Sequence, residues 1–282
     1  MAARLARDLD SRALLVHVSQ AAGLLYRLRP DQVRRTRETR KRLKAIADEH
    51  CFPERTHVGL EAGDPADKLM AVAEQEDAEL VVIASRGTSK AGSALLGSVS
   101  STLMGMAPCP VVVVPPGTVA PVDAASMRSV VCGVAGEETD LALLRLAADL
   151  ADRLGGCLHA VHASPSWAQL AGMGAAPARP PDDDLRRSAE RRLTLALEEA
   201  GVAARETVLP LPAPDALERI AEEKRASLIV VGSRGRGKLG STLQGSVPTR
   251  LAGEGRTAVV VLPPGARLEA GSGHYEMAAD AA

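Results

Sequence analysis

Short runs of valine, isoleucine and leucine alternate along the chain with longer stretches in which apolar residues recur every three or four positions. The short runs are typical of strands buried on both faces of a parallel sheet, and the longer stretches predict amphipathic helices. In the second half of the chain the pattern predicts strands at 129–134, 157–163, 206–212, 227–232 and 257–262, with helices over 139–155, 182–200 and 214–225 and a fourth starting near Gly245. Such alternation predicts a doubly wound parallel-sheet α/β domain.

The pattern occurs twice. Residues 78–117 align with residues 226–265 without a gap at an offset of 148, and residues 13–18 align with residues 157–163 at an offset of about 145. Both units contain Ser-Arg-Gly, Gly-Ser-Val and a final Val-Val-Val-x-Pro-Pro-Gly. The sequence therefore predicts two tandem domains, at 1–116 and 129–265, joined by a linker rich in small residues and proline at 117–128 and followed by a flexible tail at 266–282.

The first unit has less sequence before its first alignable strand than the second. His162 follows 33 residues of its own unit, whereas the equivalent His17 follows only 16 residues, so the first unit has no counterpart of strand 129–134. The first strand of a doubly wound sheet usually lies in its middle, and losing it would leave interior strands without a ladder partner. We therefore expect the natural start codon to lie upstream of Met1.

Composition narrows the classes of function. The 34 basic and 35 acidic residues give a net charge of -1, so the chain has no global field to attract nucleic acid or an anionic membrane. Aromatic residues make up 1% of the chain, too few for the stacking platforms that bind single-stranded nucleic acid. No apolar run reaches the roughly 20 residues that span a bilayer, and the N-terminus lacks the apolar stretch of a signal peptide. We expect a cytoplasmic protein with no nucleic-acid or membrane partner and with reduced cysteines.

Three glycine signatures overlap in residues 230–251. A P-loop requires Ser or Thr after its lysine to hold Mg²⁺, but Leu239 follows Lys238. A dinucleotide fingerprint spans Gly235 to Gly240, but it follows a late strand, and no acidic residue stands about 20 positions further on. The third spacing is Gly232-x2-Gly235-x9-Gly245-Ser246, directly after a predicted strand.

This third spacing has the chemistry of a phosphate site. Gly232 ends a strand without a side chain, and Gly235 allows backbone angles that turn successive N–H groups toward an anion. Gly245 and Ser246 begin a helix, whose free N–H groups and partial positive charge attract phosphate. The same loop carries three cations, Arg234, Arg236 and Lys238. The residues therefore predict a polyphosphate ligand.

Together with the repeat, the Gly-Ser-Val extension and the valine-rich last strand, this spacing resembles the ATP-binding branch of the universal stress protein family over nearly the whole chain. The resemblance implies Rossmann-like, adenine nucleotide alpha hydrolase-like domains that bind ATP, with or without Mg²⁺ or Mn²⁺. It adds Val247 to the phosphate contacts and implies an adenine and ribose pocket lined by Val134, Ala135, Ala163 and Val231. It also implies pairing of the last strands, 110–114 and 257–262, within the chain or in a homodimer.

The chain departs from the family pattern in both units. Ala135 stands where ATP-binding members usually have an aspartate, which removes a polar contact to the nucleoside. Ala84 stands where the first glycine of the motif belongs in the first unit. A degenerate first site is therefore expected from the residues that remain, Val18, Ile83, Ala84, Gly87, Gly97, Ser98 and Val99.

No catalytic residue and no protein metal site is predicted. Ser98 and Ser246 lack the G-x-S-x-G elbow of hydrolases, and His159 and His162 lie three apart on a strand and hence on opposite faces. The chain is therefore predicted to be an ATP-binding stress-response or regulatory module, with at most slow ATP hydrolysis. The alternative is an interaction protein of the same fold that does not bind nucleotides.

A basic run at residues 34–44 lies in a predicted helix whose apolar face consists of Val33, Leu43, Ile46 and Ala47. We interpret the run as a solvated helix face, with a site for an anionic partner as the alternative.

Overall fold

The computed structural model describes residues 1–19, 30–50, 56–85, 96–118, 129–136, 140–164, 182–233, 247–270 and 273–275. Contacts divide the chain into two compact units, residues 1–78 and residues 79–282. These units differ from the two sequence repeats, because part of the first repeat lies in the unit 79–282. The predicted domain and linker boundaries are not tested by this division and stay predictions.

The unit 1–78 is a two-stranded sheet with helices. Its elements are α1 (Ala2–Asp8), β1 (Ala13–Ser19), α2 (Pro30–His50), β2 (Thr56–Ala62) and α3 (Pro65–Gln75). Strands β1 and β2 pair in parallel, from Ala13 opposite Thr56 to Ser19 opposite Ala62. Asp64 caps α3 by accepting hydrogen bonds from the amides of Ala66 and Asp67 at 2.9 and 3.1 Å, the arrangement that an aspartate before a first-turn proline favours.

The unit 79–282 is built on a seven-stranded sheet. It contains β3 (Val81–Ala84), α4 (Ser98–Met106), β4 (Val111–Val114), β5 (Ser129–Gly133), α5 (Asp140–Arg153), β6 (Cys157–Ala163), α6 (Asp182–Ala200), β7 (Arg205–Leu209), α7 (Ala213–Glu223), β8 (Leu228–Gly232), α8 (Val247–Glu254) and β9 (Ala258–Leu262). The strand order is β3-β4-β9-β8-β5-β6-β7. The five strands and four helices predicted for the second repeat are confirmed, with α8 beginning at Val247.

One pair of neighbours in this sheet is antiparallel. Strands β4 and β9 run in opposite directions, with Val111 opposite Val261 and Val113 opposite Val259. All other neighbouring strands of the sheet are parallel. The last strands of the two repeats therefore pair within the chain, as the resemblance implied.

The core of the unit 79–282 lies on both faces of its central strands. The valines at 111–113, 130–131 and 259–261 are fully buried, because helices cover both sides of a parallel sheet. Helices contribute Leu103, Leu144, Leu217 and Leu251, all buried. With so few aromatic residues, packing depends on these branched aliphatic side chains, which have few rotamers to lose.

Equivalent turns of the two repeats have the same backbone conformation. Asp77, before β3, has a φ of 51°, and Arg225, 148 residues later and before β8, has a φ of 50°. Positive φ is costly for residues other than glycine, so its recurrence supports structural equivalence of the repeats.

In the described residues, β1 pairs only with β2, and β3 pairs only with β4. Their counterparts in the second repeat, β6 and β8, each also pair with β5. The expectation about the start codon stays a prediction. A helix long and apolar enough to cross a lipid bilayer does not occur in the described part of the chain.

Part of the predicted flexible tail at 266–282 is described, and its flexibility stays a prediction. Strands β10 (Leu268–Ala270) and β11 (Gly273–Tyr275) pair in antiparallel fashion. The alternate apolar residues Ala266 and Leu268 are buried, and the Arg267 amide donates a hydrogen bond to the Pro108 carbonyl at 2.7 Å. Burial of these side chains fixes the start of the segment, while residues 276–282 lie outside the described residues.

Candidate functional site

After β5 the chain adds β6 and β7 on one side of that strand and then returns to add β8 on its other side. Strand β6 lies on one side of β5 and β8 on the other, a strand order that predicts a crevice at the carboxyl ends of β5 and β8. Ligands of open α/β sheets bind at such switch points. The residues predicted for the nucleotide site follow these strand ends.

Gly232 ends β8 opposite Leu262 of β9 and is exposed. A side chain added at Gly232 would meet no described atom within 4 Å, so the end of this strand is open on that side. The amide of Ser233 then donates to the Leu262 carbonyl at 2.9 Å and extends the ladder by one bond. The Ser233 hydroxyl oxygen is buried and has no hydrogen-bond partner among the described residues.

Most of the predicted phosphate loop lies outside the described residues. Gly232, at the end of β8, and Val247, at the start of α8, are described. The residues between them that carry the predicted chemistry lie outside the described residues, namely Arg234, Gly235, Arg236, Lys238, Gly245 and Ser246. Their arrangement around an anion stays a prediction.

The loop after β5 is held by Asp140, a residue that the sequence analysis missed. Its Oδ2 accepts hydrogen bonds from the amides of Ala135 and Gly136 at 2.9 and 2.5 Å. Asp140 begins α5 and is only 4% exposed. An acidic residue at the start of a predicted helix was the available signal, since helix N-termini favour negative charge. These two amides are therefore engaged by a side chain of the protein.

His162 fixes the same loop from the neighbouring strand. Its Nδ1 lies 2.8 Å from the Val134 carbonyl oxygen, which accepts only, so Nδ1 carries the proton of this hydrogen bond. The Val134 amide donates to the Val161 carbonyl at 2.9 Å. The backbone at the end of β5 is thus tied to β6 by two further hydrogen bonds.

The four residues predicted to line an adenine pocket differ in accessibility. Val134 and Val231 are each 4% exposed, so their side chains belong mainly to the core beneath the crevice. Ala135 is exposed and Ala163 is half-buried. The described carboxyl edge of the sheet therefore has apolar residues at its base and small side chains above them. Residue 135 provides no carboxylate.

Two residues of the sheet with reactive side chains, Cys132 and His159, are buried. Burial, and to a lesser extent the Asp140 charge, raise the pKa of the Cys132 thiol, so this cysteine stays protonated. His159 is buried, and desolvation together with Arg205 and Lys224 lowers its pKa. Within the residues that can be placed, no group of three or more His, Cys, Asp or Glu side chains could hold a metal ion.

The first repeat keeps part of the equivalent geometry. The Gly97 amide donates to the Ser85 carbonyl at 2.8 Å, and Gly97 is the N-cap of α4. Ser98 is exposed, whereas Ile83 and Val99 are half-buried. Ala84, the last residue of β3, is exposed. Gly87 lies outside the described residues and Val18 belongs to the unit 1–78, so the predicted first site stays a prediction.

Ser85 repeats the behaviour of Ser233, to which it is equivalent at the offset of 148. Its amide donates to the Val114 carbonyl at 3.0 Å, and its hydroxyl oxygen is buried without a partner among the described residues. The Ser100 hydroxyl donates toward the Ser85 carbonyl at 3.1 Å. The strand-to-helix connection thus starts in the same way in both repeats.

A cavity of about 280 Å³ lies elsewhere in the unit 79–282. It is lined by residues that precede β3 and β4, by one face of α5 and by residues 200–202, and none of the residues predicted for the nucleotide site lines it. Arg153 forms ion pairs there with Glu79 and with Asp149. Since Arg145 and Arg267 also line the cavity together with Asp152, its charges are balanced and favour no one class of ligand.

The chain matches the model of the universal stress protein family over residues 1–115 and 127–263. A universal stress protein of Mycolicibacterium smegmatis is 31% identical over 208 residues, which cover 67% of this chain and 63% of that protein. The universal stress protein Rv1996 of Mycobacterium tuberculosis is 29% identical over 289 residues, covering 91% of this chain and 88% of that protein. The chain thus spans less than two thirds of the length of the first relative and most of the second.

Solved structures support the fold. A universal stress protein from Archaeoglobus fulgidus has a TM-score of 0.63 and 20% identity, covering 91% of this chain and 90% of that one. A universal stress protein solved in complex with cAMP has a TM-score of 0.38 over 49% of this chain, a likeness too weak to indicate a ligand here. On the two family matches, this chain belongs to the universal stress protein family and carries two of its domains in tandem.

Proposed function

We propose that the second repeat binds ATP at the carboxyl ends of β5 and β8 and that the chain acts as a nucleotide-responsive regulatory module. The observation that carries the proposal is the open end of β8 at Gly232, at the switch point of the sheet and on the N-terminal side of α8. Family membership and the spacing from Gly232 to Ser246 support it.

In this proposal the triphosphate lies on the loop between β8 and α8. The cations Arg234, Arg236 and Lys238 neutralise it, and the amides near Gly245, Ser246 and Val247 donate hydrogen bonds to its oxygens. A divalent ion would be held by phosphate oxygens, since the proposal assigns it no protein ligand.

The nucleoside would lie over the loop after β5. Ala135 leaves room there but offers no side-chain hydrogen bond, and losing a bond to a charged group costs about 1.5–3 kcal/mol. The affinity is therefore expected to be lower by about ten- to a hundredfold than that of a site with an aspartate at this position.

The described side chains at the carboxyl edge of the sheet bear on whether bound ATP would be hydrolysed. Asp140 accepts two amide hydrogen bonds, and His162 donates its Nδ1 proton to the Val134 carbonyl. With the Asp140 carboxylate engaged by these amides and no general base predicted from the sequence, we propose at most slow hydrolysis.

Equilibrium dialysis with labelled ATP tests the site. Gly232→Val places a side chain in the open space at the end of β8, so it should fold normally and weaken the Kd about tenfold or more. The matched control is Ala84→Val, at the equivalent exposed position of the first repeat, which should leave the Kd of the second site unchanged. Failure of the wild type to bind ATP saturably at millimolar concentration would instead favour an interaction protein of the same fold.

We further propose a cytoplasmic location and a homodimer. Because β4 and β9 already pair within the chain, such a dimer would need a surface other than their edges. Light scattering of the purified chain measures the assembly directly.

A further inference from the structure

Helix α2 carries a dense cluster of cations, here called the basic helix surface and consisting of Arg34, Arg35, Arg37, Arg40, Lys41, Arg42 and Lys44. All seven side chains are exposed. Glu38 is the one acidic residue in the segment 34–44, which therefore carries a net charge of +6. Since the whole chain carries -1, the other residues together carry -7. The net charge of the chain is therefore close to zero although positive charge is concentrated in residues 34–44.

The helix contacts the rest of its unit along a narrow stripe. Ala47 is buried, and Thr39 and Leu43, spaced four residues apart on the same side, are half-buried. All other residues between 34 and 50 are exposed, including Ile46 at 38%. Ile46 was expected on the apolar face, and that expectation is wrong. The narrow contact leaves most of the helix perimeter in solvent.

The fold does not require these cations. Helix α6 lies between β6 and β7, the same place in the second repeat that α2 occupies between β1 and β2. Residues 182–192 of α6 contain four basic and four acidic side chains, so they carry no net charge. The charge of α2 is therefore a property of one repeat.

The cations surround much of the helix axis. At about 100° per residue, Arg34, Arg37 and Lys41 form a crest about 60° wide. Arg35 and Arg42 lie on one flank of the crest, and Arg40 and Lys44 lie on the other. Together the seven cations cover an arc of about 220°. A flat anionic membrane would meet only the crest, whereas a groove with phosphates on both walls would meet the crest and both flanks.

We propose that the basic helix surface binds the major groove of double-stranded DNA through its phosphates, without sequence preference. That groove is about 12 Å wide and admits a helix of about 10–12 Å diameter. The deep, narrow major groove of duplex RNA excludes a helix, and single strands require the aromatic residues that the chain lacks. The earlier expectation of no nucleic-acid partner depended on the net charge of the whole chain and on its low aromatic content, and this proposal departs from it because of the local charge of α2.

Like-charge repulsion within the helix gives binding a further driving force. Arg37 lies three or four residues from Arg34, Arg40 and Lys41, and such pairs destabilise a helix by about 0.2–0.5 kcal/mol each. One ion pair of this segment in the described structure, Arg34 with Glu38 at 3.0 Å, offsets part of the repulsion. Phosphates on both sides of the helix would relieve the remainder.

The test is fluorescence anisotropy of a labelled 20-base-pair DNA with the full chain between 50 and 200 mM NaCl. We expect the logarithm of the binding constant to fall with the logarithm of salt concentration at a slope of about -4 to -6, as for five to seven phosphate contacts. A duplex RNA of the same sequence should bind about tenfold more weakly or worse.

Three double variants separate a groove from a flat surface: Arg37→Gln with Lys41→Gln on the crest, Arg35→Gln with Arg42→Gln on one flank, and Arg40→Gln with Lys44→Gln on the other. Glutamine keeps the helix propensity. Each pair should reduce the slope by about 2 units and weaken binding about tenfold. The matched control is Arg186→Gln with Arg187→Gln, which removes two exposed cations of α6 and should change neither value.

Circular dichroism of each variant checks that the helix content is retained, and the wild-type salt and RNA measurements do not depend on any variant. The proposal is overturned if the wild type binds DNA no more tightly than duplex RNA, or if only the crest variant weakens binding. Binding to vesicles with acidic lipids in the absence of DNA binding also overturns it.

Discussion

The Asp140 side chain helps to set the shape of the proposed nucleotide site. Its carboxylate engages the amides of Ala135 and Gly136, and it does so almost completely removed from water. The carboxylate thus holds the start of the loop after β5, together with the hydrogen bonds made by His162 and by the Val134 amide.

Asp140→Ala should therefore lower the free energy of unfolding by about 2 kcal/mol, since it removes the charged acceptor of two part-buried hydrogen bonds. Urea denaturation monitored by circular dichroism measures the loss. The control Asp183→Ala removes an exposed carboxylate of α6 and should change stability by less than about 0.5 kcal/mol. Similar losses in both variants would show that Asp140 does not hold the loop.

Glu218 is a second residue whose environment makes a measurable prediction. Its Oε1 is buried without a hydrogen-bond partner among the described residues, while the backbone amides of Arg256 and Thr257 donate to the carboxylate. Desolvation outweighs these hydrogen bonds and raises the pKa of Glu218 above its ordinary value.

The folded protein consequently holds the Glu218 proton more tightly than the unfolded chain does. Stability from this group is present below the unfolded pKa, about 4.3, and is lost as the pH rises through the higher folded pKa. Glu218→Gln has no such proton, so its free energy of unfolding relative to wild type should rise over this window and then level off. Urea titrations from pH 4 to 7 measure the difference, and a constant difference across that range would contradict the assignment.

At the scale of elements, strands differ in how many neighbours they have. Strand β9 lies between β4 and β8, and its residues are buried, whereas β1 and β2 form a pair whose residues are mostly half-buried. Two-stranded sheets are only marginally stable without further packing.

Native-state hydrogen exchange should therefore be slowest at the amides of β9, β8 and β5, and β1 and β2 should exchange faster. The physical reason is that opening β9 breaks two ladders and exposes a valine core, while opening β1 breaks one ladder. Mass spectrometry of peptides from the exchanged protein gives the rates. Equal protection of β1 and β9 would contradict this ranking.

The sequence was sufficient for elements with strong local patterns. Valine-rich runs located β5, β8 and β9 of the second repeat, and the internal alignment located β1, β3 and β4 of the first. The sequence was insufficient where a contact joins residues that only the folded chain brings together. The hydrogen bond from the Ala135 amide to Asp140 forms because the start of α5 lies beside the end of β5. Helical spacing alone did not reveal that the buried stripe of α2 is too narrow to include Ile46. The burial of Ala266 and Leu268 likewise depended on contacts with residues that are distant in the sequence.

For the whole molecule, the compact units and the sequence repeats divide the chain at different places. The unit 79–282 includes β3 and β4 of the first repeat because β4 completes the edge of β9. A cut in the predicted linker would therefore separate two strands that share hydrogen bonds.

A fragment of residues 79–282 should keep the assembly state of the full chain, whereas a fragment of residues 129–282 should self-associate. In the shorter fragment β9 would present an unpaired, valine-rich edge, and such edges pair with other chains. Size-exclusion chromatography with light scattering distinguishes the two results. A monomeric 129–282 fragment would show that this edge tolerates exposure.

The antiparallel junction of β4 and β9 also determines where the carboxyl ends of the parallel strands lie in the two repeats. Because the polarity of the sheet inverts there, β3 and β8 end at opposite rims. Ala84 and Gly232, at these ends, are thus separated by at least the length of the strands. A nucleotide bound at one rim cannot touch the other, so any coupling between them would have to pass through the valine ladder itself.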